Sequence, residues 1–218
     1  AFATSLAKLS NDFDVVPITL GGCLPFDNFD LYSGKIKSNK CTSKKIQNDI
    51  VYIESLDNPV VIYAGMFTKN LTNKIVHHGK RNKSWDKEFL PNSMSTSIEL
   101  ELKNMINRLS QISHKVYVID SIEFGINAQK KYFYGESHEY KVEKNYLKKL
   151  HQEGSEFLNL VNNYSNVLQI SLFNFVCDEN YCSPFQSDGK PLYIDEVHPN
   201  LMLSDRVAEY IIHDLSVN

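Results

Sequence analysis

The chain has little of what would direct it to a lipid bilayer or a nucleic acid. No uninterrupted apolar run in its 218 residues approaches the roughly 20 that a spanning helix needs. There is no basic excess either: 23 Lys and Arg stand against 26 Asp and Glu, a formal net charge of −3 that offers no broad positive field. The opening residues, Ala1-Phe-Ala-Thr-Ser-Leu-Ala-Lys-Leu9, lack the basic start, long apolar centre and small-residue cleavage site of a signal peptide. Any export signal or membrane anchor is therefore expected outside them. Cysteines number only four, with no Cys-x-x-Cys and no histidine at ligand spacing, which argues against a zinc site. No metal and no cofactor are expected.

What the chain does have is enough apolar residue, 42% hydrophobic, to bury a substantial core in a single domain over residues 1–218. Cys23 and Cys41 flank one loop, and Cys177 and Cys182 bracket a four-residue insert, so two local disulfides are expected, Cys23 with Cys41 and Cys177 with Cys182. Disulfides imply an oxidising, extracytoplasmic compartment; four reduced thiols in a cytosolic protein are the alternative reading.

Helix-like and strand-like segments alternate. Phe2, Leu6 and Leu9 mark a first helix, and Val15-Val-Pro-Ile18-Thr19 reads as a short strand closed by Gly21-Gly22. A helix over Thr42 to Glu54 precedes Pro59-Val-Val-Ile-Tyr-Ala64, whose β-branched character and terminal Gly65 suit a buried parallel strand. Thr68 to Asn92 has no period and reads as a long surface excursion. Ser95 to Ile112 repeats apolar residues at helical spacing, Lys115 to Ile119 is a strand, and Val167 to Leu172 is another. Between these last two, Glu123 to Tyr140 is aperiodic and aromatic, and Val142 to Asn162 reads as a helix with Tyr146, Leu150 and Phe157 on its apolar face. The order predicts an α/β fold: a doubly wound, mostly parallel sheet flanked by helices, with active groups at the strands' C-terminal ends.

The most informative stretch is Pro191-Leu-Tyr-Ile-Asp195-Glu-Val-His198-Pro199-Asn200, between a strand-like Leu192 to Ile194 and a helix with Val207, Ala208, Ile211, Ile212 and Leu215 on one face. Three residues apart in one loop, Asp195 can orient the His198 imidazole as a general base. Those are two members of a hydrolytic triad; the third is a nucleophile. A structural Asp-His capping pair is the plainer reading.

The Asp195-Glu-Val-His198-Pro199-Asn200 block before a C-terminal helix resembles the last block of the SGNH (GDSL-like) hydrolases. Leu20-Gly21-Gly22-Cys23-Leu-Pro25 and the Cys177 to Cys182 pair narrow the resemblance to SGNH domains attached to acyltransferase-3-type membrane proteins. That resemblance implies extracytoplasmic, periplasmic or outer-face acyl transfer to a cell-surface glycan, with an acyl donor, a glycan acceptor and a tethered membrane acyltransferase domain as partners. Ester hydrolysis uses the same residues. It implies an oxyanion amide at Gly21 or Gly22, with Gly22 preferred; Gly65 is a second candidate donor, and a glycine needed for a tight strand exit is its plainer reading. Two departures stand out. No Gly-Asp-Ser occurs, so the chain is expected to begin just after that block, without the family's first strand and nucleophilic serine. Phe67 stands where the family's oxyanion asparagine belongs. A non-catalytic glycan-binding or accessory module is the alternative that these departures motivate.

Other residues have plainer expectations. Ser5 and Thr4 read as helix-surface residues, not nucleophiles. His77-His78 with Lys80, Arg81, Lys83 and Trp85 reads as a solvated loop, with glycan contact as the functional alternative. Tyr132, Phe133, Tyr134 and Tyr140 are expected to pack in the core, with cover of the sheet edge or the lining of an acyl pocket as the alternative.

Overall fold

The structure, a computed structural model, describes residues 2–9, 14–18, 32–33, 36–37, 43–65, 94–136, 140–152, 158–159 and 163–217. The chain forms two compact units: residues 1–17, 121–151 and 171–218 make one, and residues 18–120 and 152–170 the other. Gly22, Cys23, Cys41, Phe67 and the His77 to Trp85 cluster lie outside the described residues.

The second unit carries the sheet. Strands β3 (Val60–Gly65), β4 (Lys115–Asp120) and β6 (Val167–Ser171) lie in the order β3-β4-β6, and β1 (Tyr32–Ser33) and β2 (Ile36–Lys37) form a separate antiparallel pair. Strands β3 and β4 run parallel in register from Val60 opposite Lys115 to Gly65 opposite Asp120. In β4 the consecutive residues Val116, Tyr117, Val118 and Ile119 are all buried, the pattern of a central strand covered on both faces. Helix α2 (Ser43–Glu54) buries Ile46 and Ile50, and α3 (Met94–Ile112) buries Leu102, Met105, Ile106 and Leu109. The i, i+3, i+4, i+7 spacing puts these on one stripe, which joins Tyr63, Val116, Val118, Leu158 and Val167 in one core. Asn166 closes the far end of α3, its Nδ2 donating to the carbonyls of Ser110 and Ser113 at 2.8 and 2.9 Å.

The first unit is built on two helices, α1 (Phe2–Leu9) packed on α7 (Leu201–Val217), with Lys8 3.7 Å from Asp205 across the pair. Helix α7 buries Leu203, Ser204, Val207, Ala208 and Ile211, while α1 buries Ser5 and Leu6. The same unit holds α4 (Ala128–Phe133), β5 (Val142–Glu143), α5 (Lys144–Leu150), α6 (Phe173–Val176), which packs on α7, and β7 (Tyr181–Cys182). Strands β5 and β7 pair antiparallel, and Cys177 is bonded to Cys182 as expected.

Several expectations change. Residues 14–18 form no strand, because Pro17 lacks the amide that a ladder needs. The helix expected from Val142 starts two residues later, since Val142 and Glu143 pair instead with Cys182 and Tyr181. Its buried residue is Leu147, with Tyr146 and Leu150 exposed, and it is capped at His151. The aperiodic stretch after Glu123 holds a helix, α4, started by Asn127, whose Oδ1 accepts the Lys130 amide at 2.8 Å. Phe133 and Tyr134 are not core but 76% and 68% exposed. Leu192 to Ile194 forms no strand and contributes one isolated bridge, Tyr193 with Pro199, with a second from Phe185 to Pro191 just before it; Pro191 and Pro199 lack the amides that a ladder needs.

Candidate active site

The loop carrying Asp195 and His198 is tied at its base before it reaches solvent. A turn at Gln186 to Lys190, which Gly189 makes possible at φ +82°, leads to Leu192, whose amide donates to Pro184 O at 2.7 Å. The amide of Asn200 then donates back to Leu192 O at 2.8 Å, and that of Ile194 to His198 O at 2.8 Å. Asn200 serves both sides. Its Oδ1 caps α7 by accepting the Leu203 amide at 3.0 Å, while its Nδ2 donates to Pro191 O. Buried Leu192 and Tyr193 anchor the loop, Tyr193 edge-on to Phe124 with ring centres 5.2 Å apart.

Within the loop a single carboxylate makes two kinds of contact. Oδ1 of Asp195 accepts the amides of Val197 and His198, each at 2.9 Å, which bends the chain into an Asx turn. The other oxygen, Oδ2, lies 2.7 Å from His198 Nδ1. Burial pushes the Asp195 carboxyl up, but the Val197 and His198 amides and the imidazole together outweigh it and hold it below the usual carboxylate range. The carboxylate is therefore ionised at neutral pH. Its stabilising effect is present above the ordinary value and is lost as pH falls through the lowered one. The His198 side chain is 68% exposed and that of Asp195 40%, so the pair is open to a large substrate.

A second segment reaches this loop from the exit of β4. Ser121 Oγ donates to Val197 O at 2.6 Å, and the Phe124 amide to Glu196 O at 3.2 Å. The segment is held in turn by Tyr140, whose hydroxyl donates to Phe124 O at 3.0 Å, and by His151, whose Nε2 accepts the Glu123 amide at 3.4 Å. Sequence reasoning passed over Ser121; the available signal was its place just after a strand's C-terminal end.

His151 is buried against Phe173. Burial pushes its imidazole below the ordinary 6.5, against the opposing pull of the Glu123 backbone and carboxylate. The folded chain thus holds it neutral while the unfolded chain binds a proton below 6.5, so its contribution to stability is complete above that pH and falls with acidification. Thermal melts from about pH 7.5 to about pH 5 are expected to show a loss of stability that shrinks in His151→Gln; an unchanged pH slope in the variant would contradict the assignment.

Of the remaining candidates, Gly65 ends β3 opposite Asp120 in the sheet-bearing unit. Ser5 is not a helix-surface residue but is wholly buried, its hydroxyl without a hydrogen-bond partner among the described residues, which argues against direct attack on an acyl donor. Thr4 is exposed. Among the described residues no three His, Cys, Asp or Glu side chains converge as a metal site, and no helix is long and apolar enough to cross a membrane.

The family model described as "SGNH domain (fused to AT3 domains)" matches residues 1–212. No curated protein matches the sequence. Among solved structures, the periplasmic domain of the Salmonella ser. Paratyphi A lipopolysaccharide acetyltransferase superposes with a TM-score of 0.61 at 15% identity, covering 98% of this chain and 77% of that one.

Proposed function

Because the chain belongs to the family of SGNH domains fused to AT3 domains, we propose that it is the extracytoplasmic part of a membrane acyltransferase that moves an acyl group, acetyl by preference, onto a cell-surface glycan. The observation that carries this reading is the 2.7 Å contact between Asp195 Oδ2 and His198 Nδ1 in an exposed loop. The acetyltransferase whose fold it shares acts, by its name, on a lipopolysaccharide. The Cys177–Cys182 disulfide fits an oxidising compartment.

In the proposed mechanism residues 1–218 act as one SGNH domain, and a serine supplied from outside them is the nucleophile. Asp195 holds the proton of the imidazole on Nδ1, which leaves Nε2 to take the serine proton as Oγ attacks the acyl carbonyl. Backbone amides, with Gly22 and Gly65 as candidates, receive the oxyanion. The proton passes to the leaving group as the acyl-serine forms. A glycan hydroxyl then gives its proton to His198 Nε2 and attacks the acyl carbon, and the serine is released with that proton. Water in place of the hydroxyl gives hydrolysis by the same path. The sequence of steps uses neither metal nor cofactor.

Fluorophosphonate labelling of the full-length protein, with the adduct mapped by peptide mass spectrometry, tests the reading. The expected adduct lies on a serine outside this chain. A folded protein that takes no label would leave Asp195 and His198 as a turn-forming pair in an accessory module.

A further inference from the structure

The peptide unit joining Val197 to His198 is held at both of its polar ends. Its N–H donates to Asp195 Oδ1 at 2.9 Å, and its C=O accepts the Ser121 hydroxyl at 2.6 Å across 76 residues of sequence. The next peptide back, between Glu196 and Val197, is held the same way: its N–H goes to Asp195 Oδ1, and its C=O receives the Phe124 amide. Two consecutive peptide planes are thereby fixed between a carboxylate of the loop itself and a segment leaving β4. The His198 side chain is 68% exposed and in contact with Asp195. The direction in which its imidazole leaves the backbone is set by these planes and by the Asp195 contact.

We propose that Ser121 is a positioning residue for His198, its hydroxyl orienting the Val197–His198 peptide so that the imidazole is presented for proton transfer. The inference rests on the reading of His198 as the general base. Asp195 alone determines which ring nitrogen carries the proton, but it lies in the same short loop and moves with it. Ser121 ties the loop to a different part of the unit, where Tyr140 and buried His151 brace its neighbours Phe124 and Glu123. Small displacements of a catalytic group are costly in rate even when the fold is intact, reaching about a hundredfold for about 1 Å.

The test is the second-order rate of fluorophosphonate labelling of the full-length protein, compared with thermal melts of the same samples. Ser121→Ala is expected to label about tenfold more slowly with a melting temperature close to that of the parent, since it shifts the base without removing it. Ser121→Thr, which keeps the hydroxyl, is expected to recover most of the rate. Ser121→Cys keeps the volume with a weaker donor, and is expected to show the slow rate should Ser121→Ala fail to fold. A parental rate in folded Ser121→Ala or Ser121→Cys overturns the proposal, as does an equal loss in Ser121→Thr. His198→Ala separates the two readings. If it labels like the parent, the general-base role fails and this inference with it; if it loses labelling while Ser121→Ala does not, only the positioning role fails.

Discussion

Replacing His198 with alanine in the full-length protein is expected to lower acyl transfer by about 10⁴-fold or more, the range seen when a triad base is removed. The fold is expected to survive. The side chain is 68% exposed, and the bonds that shape the loop there come from its backbone: its amide to Asp195 Oδ1 and its carbonyl from Ile194. A surface truncation of this kind changes stability by about 0.5 kcal/mol or less. Product formation from an acetyl donor and a glycan acceptor, read beside a thermal melt, checks both halves. A folded variant with undiminished transfer would place the chemistry elsewhere and favour a binding role.

Asp195→Asn is expected to be nearly as damaging, and for a reason that its stability will not reveal. The asparagine keeps an oxygen where Oδ1 accepts the Val197 and His198 amides, so the turn persists. Where Oδ2 stood, an NH₂ group now faces His198 Nδ1 and donates to it. The imidazole proton is then held on Nε2, the wrong nitrogen for receiving a proton from serine, and kcat falls by about 10⁴-fold. Asp195→Ala should show a similar rate together with a lower melting temperature, because both amides lose their acceptor. An Asp195→Asn protein that retains most of its rate would mean that the carboxylate shapes the loop and does not tune the base.

Local pattern revealed the parts of this fold that local forces decide. Strand β3 is a β-branched run closed by Gly65, β4 and β6 are short apolar-rich runs, and α3 and α7 carry apolar stripes at helical spacing, so local pattern located them. The errors fall where a distant partner overrides the local pattern. Val142 and Glu143 sit in a helical period yet pair with Tyr181 and Cys182, and the helix is displaced accordingly. Ser5, polar and ordinary on paper, is buried because α7 lies against α1. The site divides in the same way. Asp195 and His198 are legible because three residues separate them and one turn joins them. Ser121 is not, because its bond to Val197 spans 76 residues and nothing in its own neighbourhood announces the contact.

The Cys177–Cys182 bond has a consequence for how the chain matures. Five positions separate the two sulfurs, so their meeting requires no tertiary structure: short segments of chain close on themselves in about 10–100 ns. The covalent step therefore waits on the supply of oxidant and not on the progress of folding. Asp178, whose Oδ1 accepts the Asn180 and Tyr181 amides at 2.8 and 2.7 Å, bends the intervening residues the same way from within. A newly made chain can carry this staple before either of its compact units exists.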